Sequence, residues 1–127
     1  MLGCPTVEHS PDALRSRTKQ FALRVMRLVR SLPNTAEARM IGSQVLRSAT
    51  AIGANYRAAG RGRSRAEFAA KIGIVLEEAD ETVYWLELLV EGGVVAQKRM
   101  EALLREAEEL VKIFATMKGT LRNTRPH

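Results

Sequence analysis

Residues 64–93 read SRAEFAAKIGIVLEEADETVYWLELLVEGG, and the period of that stretch decides the fold. Ser64 with Glu67 three residues on is a capping box, in which a hydroxyl and a carboxylate satisfy the first free amides of a helix. Phe68, Ile72, Val75, Ala79, Val83, Leu86 and Val90 then recur at spacings of three and four. That is one apolar stripe on a helix. Gly92-Gly93 ends it. A helix of roughly 27 residues with such a stripe must bury it against other helices.

A second stripe runs beside the first: Ile74, Glu78, Glu81, Trp85 and Leu88. Apolar residues on two faces predict burial beyond one four-helix core, of the kind that a subunit interface supplies. The two carboxylates within this stripe need cationic or amide partners if they are covered. Arg47, Asn55 and Arg57 are the nearest candidates by position.

Three more helices read outward from this one. Ser10-Pro11 is an N-cap followed by proline at the first helical position. Leu14, Phe21, Val25, Leu28 and Leu32 form its seam, which stops at Pro33. Asn34 with Glu37 predicts a capping box for the second helix, whose face carries Ile41, Val45, Ala49, Ile52 and Tyr56 before it ends near Gly60. The fourth starts near Gln97 and carries Met100, Leu103, Leu104, Ala107, Leu110, Val111, Phe114 and Met117 to about Gly119. No stretch alternates with period two. The expectation is all-α, an antiparallel up-down four-helix bundle over residues 10–119, with a flexible start over 1–9 and a basic tail over 120–127.

The second helix is thin. Ser48, Ala49, Ala51, Gly53 and Ala54 leave little bulk on any side. Glycine inside a helix costs about 0.5–1 kcal/mol relative to alanine, which another backbone passing close by would offset. Gly53 is therefore a candidate packing position, within the bundle or between subunits.

Charge is unevenly placed. The chain has a net charge of +6, but residues 1–71 hold 13 basic and 4 acidic side chains against 7 and 10 in residues 72–127. Such halves can pair with one another, or the basic half can face a polyanion. Arg57, Arg61, Arg63, Arg65 and Lys71 cluster around the second turn, with Glu67 as the one acid among them. Arginine forks match phosphate geometry, so this cluster is the candidate contact to nucleic-acid backbone. One adjacent tyrosine, Tyr56, is no stacking platform, so sequence-specific readout is not expected. The single Cys4 fits a reducing compartment, and no apolar run approaches the ~20 residues of a membrane span. Together they predict a cytoplasmic protein.

The run from Gln44 to Leu89 resembles a family: the four-helix bundle proteins first noticed as reading frames in intervening sequences of bacterial 23S rRNA genes. The matching elements are Gln44, Arg47-Ser48-Ala49, Ile52-Gly53-Ala54-Asn55-Tyr56, Ser64 with Phe68, Glu78 with Glu81-Thr82, and Tyr84-Trp85-Leu86. The upstream LVRSLP also agrees, and the resemblance covers about residues 20 to 120. It implies an all-helical bundle assembled as a ring-shaped homopentamer. It also implies distant kinship with the accessory variability determinant proteins of diversity-generating retroelements, which are basic pentamers that bind nucleic acid and a reverse transcriptase. The family as a whole has no established activity. Many members carry an acid where this chain has Ala58, so the end of the second helix is more positive here.

Enzymatic readings fail on inventory. His9 and His127 are the only histidines, both near the ends. No Glu-x-x-His pair offers a di-iron site, and no internal histidine can activate a serine or cysteine. Cys4 with His9 makes only two metal ligands. A glycine-rich phosphate loop is missing, since the glycines at 60 and 62 follow a helix and not a strand. The surviving alternative is an all-helical, Mg²⁺-dependent nucleotide pyrophosphohydrolase built on Glu77, Glu78 and Glu81 with Asp80 between, but its second acidic motif is absent. The sequence therefore predicts a non-enzymatic oligomeric scaffold with no cofactor, no metal and no small-molecule substrate. Its partners would be itself and, through the arginines, RNA or DNA. The rival is a protein-interaction module without nucleic acid.

Overall fold

The computed structural model describes residues 9–123. Four helices account for nearly all of them: α1 (Pro11–Arg30), α2 (Ala36–Ala59), α3 (Arg65–Glu91) and α4 (Gln97–Asn123). Among the described residues there is no strand. The sites at Cys4 and His127, and the outer ends of both predicted terminal segments, lie outside the described residues.

Each boundary has a local cause. The Ser10 hydroxyl accepts from the Ala13 amide with proline next in line, so α1 starts where the sequence predicts. The expected cap of α2 shifts by one residue: Thr35, not Asn34, takes the N-cap and accepts from the Ala38 amide. Asn34 instead accepts a hydrogen bond from Arg39. At α3 the Ser64 hydroxyl accepts from the Glu67 amide, and the Glu67 carboxylate reaches back to the Arg63 amide at 2.7 Å. Gly93 closes α3 with φ +77, a conformation that favours glycine. The amides of Gly93 and Val94 return to the carbonyls of Val90 and Leu89, a Schellman ending that satisfies the last turn. α4 passes Gly119 and continues to Asn123, because Leu121 still packs on the core and Arg65 donates to its carbonyl at 3.2 Å. Its helical end thus falls inside the segment expected to be a tail.

Short connections over 31–35, 60–64 and 92–96 make consecutive helices antiparallel neighbours. α2 packs on α1 and α3, α4 packs on α3, and α1 closes the ring against α4 at a smaller contact. The centre is filled by Leu14, Phe21, Val25, Val45, Ile52, Ile72, Val75, Leu86, Met100, Leu110 and Phe114, all at most 1 % exposed. The seams are close to those expected. On α3, however, Thr82 and Leu89 occupy the central line while Val83 and Val90 are half-buried at its edge, as is Ile41 on α2. The polar Thr82 hid this drift. Its hydroxyl donates at 2.8 Å to that of Ser48 across the α2–α3 contact, and both residues are fully buried.

Candidate functional site

The small residues of α2 explain the shape of the site. A Cβ at Gly53 would lie 3.2 Å from the Thr18 hydroxyl and 3.6 Å from the Thr18 backbone. α1 therefore approaches α2 closely at this point, and Gly53 is a packing position within the bundle. Beside the crossing runs an open groove of about 760 Å³. Its floor is Ala22, Gly53 and Ala54, and Arg15, Lys19, Arg57 and Arg61 stand around it.

Two of these four were expected and two were not. Arg57 is in the last turn of α2, and Arg61 follows in the connection to α3. Arg15 and Lys19 are one turn apart on α1, brought alongside by the antiparallel turn. The i,i+4 spacing of Arg15 and Lys19 puts both cations on one side of α1, but does not say which helix lies beside them. Arg15 is also paired with Asp12, the one acid of α1. The other predicted cations go elsewhere. Arg63 and Arg65 belong to the second turn and the start of α3, with Arg65 directed at the end of α4. Lys71 lies a turn further along α3, half-buried. The five-residue cluster is therefore split. Tyr56 is turned inward, 6 % exposed with its ring 5.4 Å from that of Phe114, so it takes no part in the groove. Burial raises its pKa, and the nearby Arg15 pulls the other way.

A second constellation sits on the α2–α3 face. Arg47 donates to Glu78 at 3.2 Å and forms a closer ion pair with Glu81. The Trp85 indole N–H donates to Glu81 at 3.0 Å. That bond, then the one from Arg47, holds the Glu81 carboxyl below its ordinary pKa. Of the three partners expected for these carboxylates, Arg47 alone serves. Asn55 instead donates to the Ala51 carbonyl at 2.9 Å, and Arg57 forms no ion pair among the described residues. The same two helices carry Ile74 at 37 % exposure and Met40 and Tyr84 at 54 % each, with Trp85 and Leu88 half-buried. Tyr84 stands edge-on to Trp85 with ring centroids 5.1 Å apart. No group of three or more His, Cys, Asp or Glu side chains is placed to share a metal ion among the described residues. Glu77 is exposed, while Glu78 and Glu81 are engaged by Arg47.

A four-helix bundle with a cation-lined groove on one flank and a tryptophan-centred ionic patch on another defines a class of small helical-bundle proteins. Residues 14–116 match the family model described as 23S rRNA-intervening sequence protein, and the chain belongs to that family. It is also similar to the crystal structure of a protein of unknown function from the S23 ribosomal protein family of Bacteroides thetaiotaomicron. The two are 34 % identical with a TM-score of 0.79, over 86 % of this chain and 97 % of that one. No curated protein matches the sequence. No helix among the described residues is long and apolar enough to cross a membrane.

Proposed function

We propose that this chain is a cytoplasmic, non-enzymatic scaffold or adaptor that assembles with copies of itself and holds nucleic-acid backbone in the α1–α2 groove. The observation that carries this reading is the groove itself: four cations around a floor of alanine and glycine, with no acidic side chain lining it. A low floor lets a phosphate approach, and arginine forks then bind it in two-point fashion. Without an aromatic platform such contacts read charge and shape rather than sequence.

Self-assembly is supported by the α2–α3 face. Met40, Ile74 and Tyr84 are the exposed large apolar side chains among the described residues, and all three lie on the two helices that carry the Arg47–Glu78–Glu81 centre. Arg47 offsets one of the two carboxylate charges and the Trp85 N–H also donates to Glu81, so this centre is covered at lower cost than lone charges would be. The family resemblance supports a homopentamer, in which repeated grooves would multiply weak contacts into avidity. The same face is the observation in favour of the rival, a protein-interaction module that binds another protein and no nucleic acid.

Binding to labelled RNA and DNA at increasing salt tests the reading. Arg57→Ala with Arg61→Ala should weaken binding and reduce the log–log salt slope by about two, one for each phosphate no longer engaged. Arg63→Ala with Arg65→Ala removes equal charge from the turn and should have the smaller effect. Wild-type protein that binds neither polyanion at about 50 mM salt, where such contacts are strongest, overturns the proposal in favour of the rival.

A further inference from the structure

α1 has a cationic groove on each side. Toward α2 lies the groove of Arg15, Lys19, Arg57 and Arg61. Toward α4 lies a shallower one of about 280 Å³, bordered by Arg24, Arg27 and Arg99 with Leu28, Ala102 and Leu103. No acidic side chain lines either. By contrast Glu87, Glu91, Glu101 and Glu108 line the groove between α3 and α4. The positive flank is therefore centred on α1 as a ridge. Ser16 and Gln20 are exposed along its outer side and Leu23 beside them is half-buried, so no large apolar side chain projects to hold a ligand off.

The two cationic sets are offset along the ridge. Arg15 and Lys19 stand on its first half, and Arg24 and Arg27 on its second. The midpoints are separated by about eight to nine residues, or about 13 Å of helix rise. Across the ridge the helix itself measures about 10–12 Å. The diagonal between the sets is then about 17 Å, several times the 3.4 Å axial step of one DNA strand. One strand would have to bend over the ridge to meet both sets. Two backbones facing each other across a groove meet them without bending. The ligand's own bases must also be accommodated. Single-strand binders of low specificity stack bases on aromatic rings, and neither groove has one. In a duplex the bases are already stacked. The major groove of B-form DNA, about 12 Å wide, admits an α-helix, whereas that of A-form RNA is deep and narrow.

From this geometry we infer that α1 lies in the major groove of a B-form DNA duplex, one phosphate backbone in each cationic groove. The inference rests on the function proposed above and narrows its ligand.

Fluorescence anisotropy with three labelled probes of one sequence tests it: a DNA duplex of about 20 base pairs, two helical turns, its single strand, and the corresponding RNA duplex. The expected order is DNA duplex tightest, by about tenfold over either other probe. Arg24→Ala with Arg27→Ala should lower duplex-DNA affinity about tenfold and the salt slope by about two, and leave single-strand binding unchanged. Lys112→Ala with Arg122→Ala removes the same charge away from the ridge and should leave duplex binding close to wild type. Arg27→Gln alone, at an exposed position, should show a smaller loss of the same kind if the double variant folds poorly. Equal affinity for the single strand or for the RNA duplex overturns the inference. So does an Arg24/Arg27 variant that binds the duplex as wild type does, or a Lys112/Arg122 variant that weakens it as much. In those cases the α1–α2 groove reading still stands if Arg57→Ala with Arg61→Ala weakens binding. Failure to bind any of the three probes removes both.

Discussion

At Gly53 one absent side chain sets the distance between two helices. The Thr18 hydroxyl that faces it is itself held, donating to the Leu14 carbonyl at 2.8 Å, so it cannot swing away freely. Gly53→Ala places a methyl at the edge of tolerance and gains helix propensity of about 1 kcal/mol, so its net effect on stability should be small. Gly53→Leu has no such space and should destabilise by about 1–3 kcal/mol, read from urea denaturation. Unchanged stability of the leucine variant would mean that α1 does not approach there. A second residue-scale test uses pH. Glu81 has its pKa lowered, first by the Trp85 indole and then by Arg47. A carboxylate lowered in the folded state stabilises above its unfolded value of about 4.3, and that contribution disappears as pH falls through the folded value. The melting-temperature gap between wild type and Glu81→Gln should therefore be constant from neutral pH to about pH 5 and close below the ordinary carboxylate range. Trp85→Phe should move the Glu81 carboxyl titration, followed by NMR, back upward. The Arg47–Glu78–Glu81 pairing was legible because sequence position alone put one arginine opposite two carboxylates. Asn55 and Arg57 were equally near in number, but only geometry shows that one turns to its own helix backbone and the other faces α1.

At the scale of helices, α1 is the most weakly attached to its second neighbour. Its contact with α4 is small and is tied by Arg17, whose guanidinium donates to both oxygens of Glu106 at 2.7 and 2.8 Å. Both side chains are below one-third exposed, so the pair is partly shielded from water. Arg17→Ala should cost about 1–3 kcal/mol, because Glu106 is left half-buried without its partner. Adding Glu106→Ala should recover part of that loss, and the double-mutant cycle measures the pair itself. Additive losses would show that the two residues act independently. Helices were the most legible level of the fold, since caps and apolar period act locally. The departures share a cause in tertiary contact. Thr35 and Asn34 are both good caps, and the approach of the chain into α2 selects between them. α4 outlasts Gly119 because α3 offers Leu121 and its carbonyl a surface. Thr82 enters the core because Ser48 is there to pair with it. Arg15 and Lys19 were not legible for the same reason: nothing local to α1 reveals that the end of α2 lies beside them.

For the whole molecule the question is how a bundle this small could bind a polyanion usefully. One subunit offers few phosphate contacts, and each is worth little at physiological salt. A ring changes that arithmetic, since once one groove is occupied the others meet the same ligand at high effective concentration. The α3–α4 groove, where Glu87, Glu91, Glu101 and Glu108 outnumber Arg105, would repel a polyanion from the opposite flank. Assembly and binding are then separable by surface. Light scattering at micromolar concentration should give a mass about five times 14.1 kDa. Leu88→Glu introduces a charge on the α2–α3 face, beside Trp85 and outside both cationic grooves. It should yield a folded monomer, with helical content by circular dichroism close to wild type. That monomer keeps Arg15, Lys19, Arg57 and Arg61 intact, so its affinity for a short probe that fills one groove should be nearly unchanged. Its affinity for a long probe should fall by about a hundredfold or more, the share that linkage between grooves supplies. A wild-type protein that is monomeric in solution removes the ring. A monomeric variant that binds long and short probes as tightly as wild type leaves the ring but denies it any part in binding.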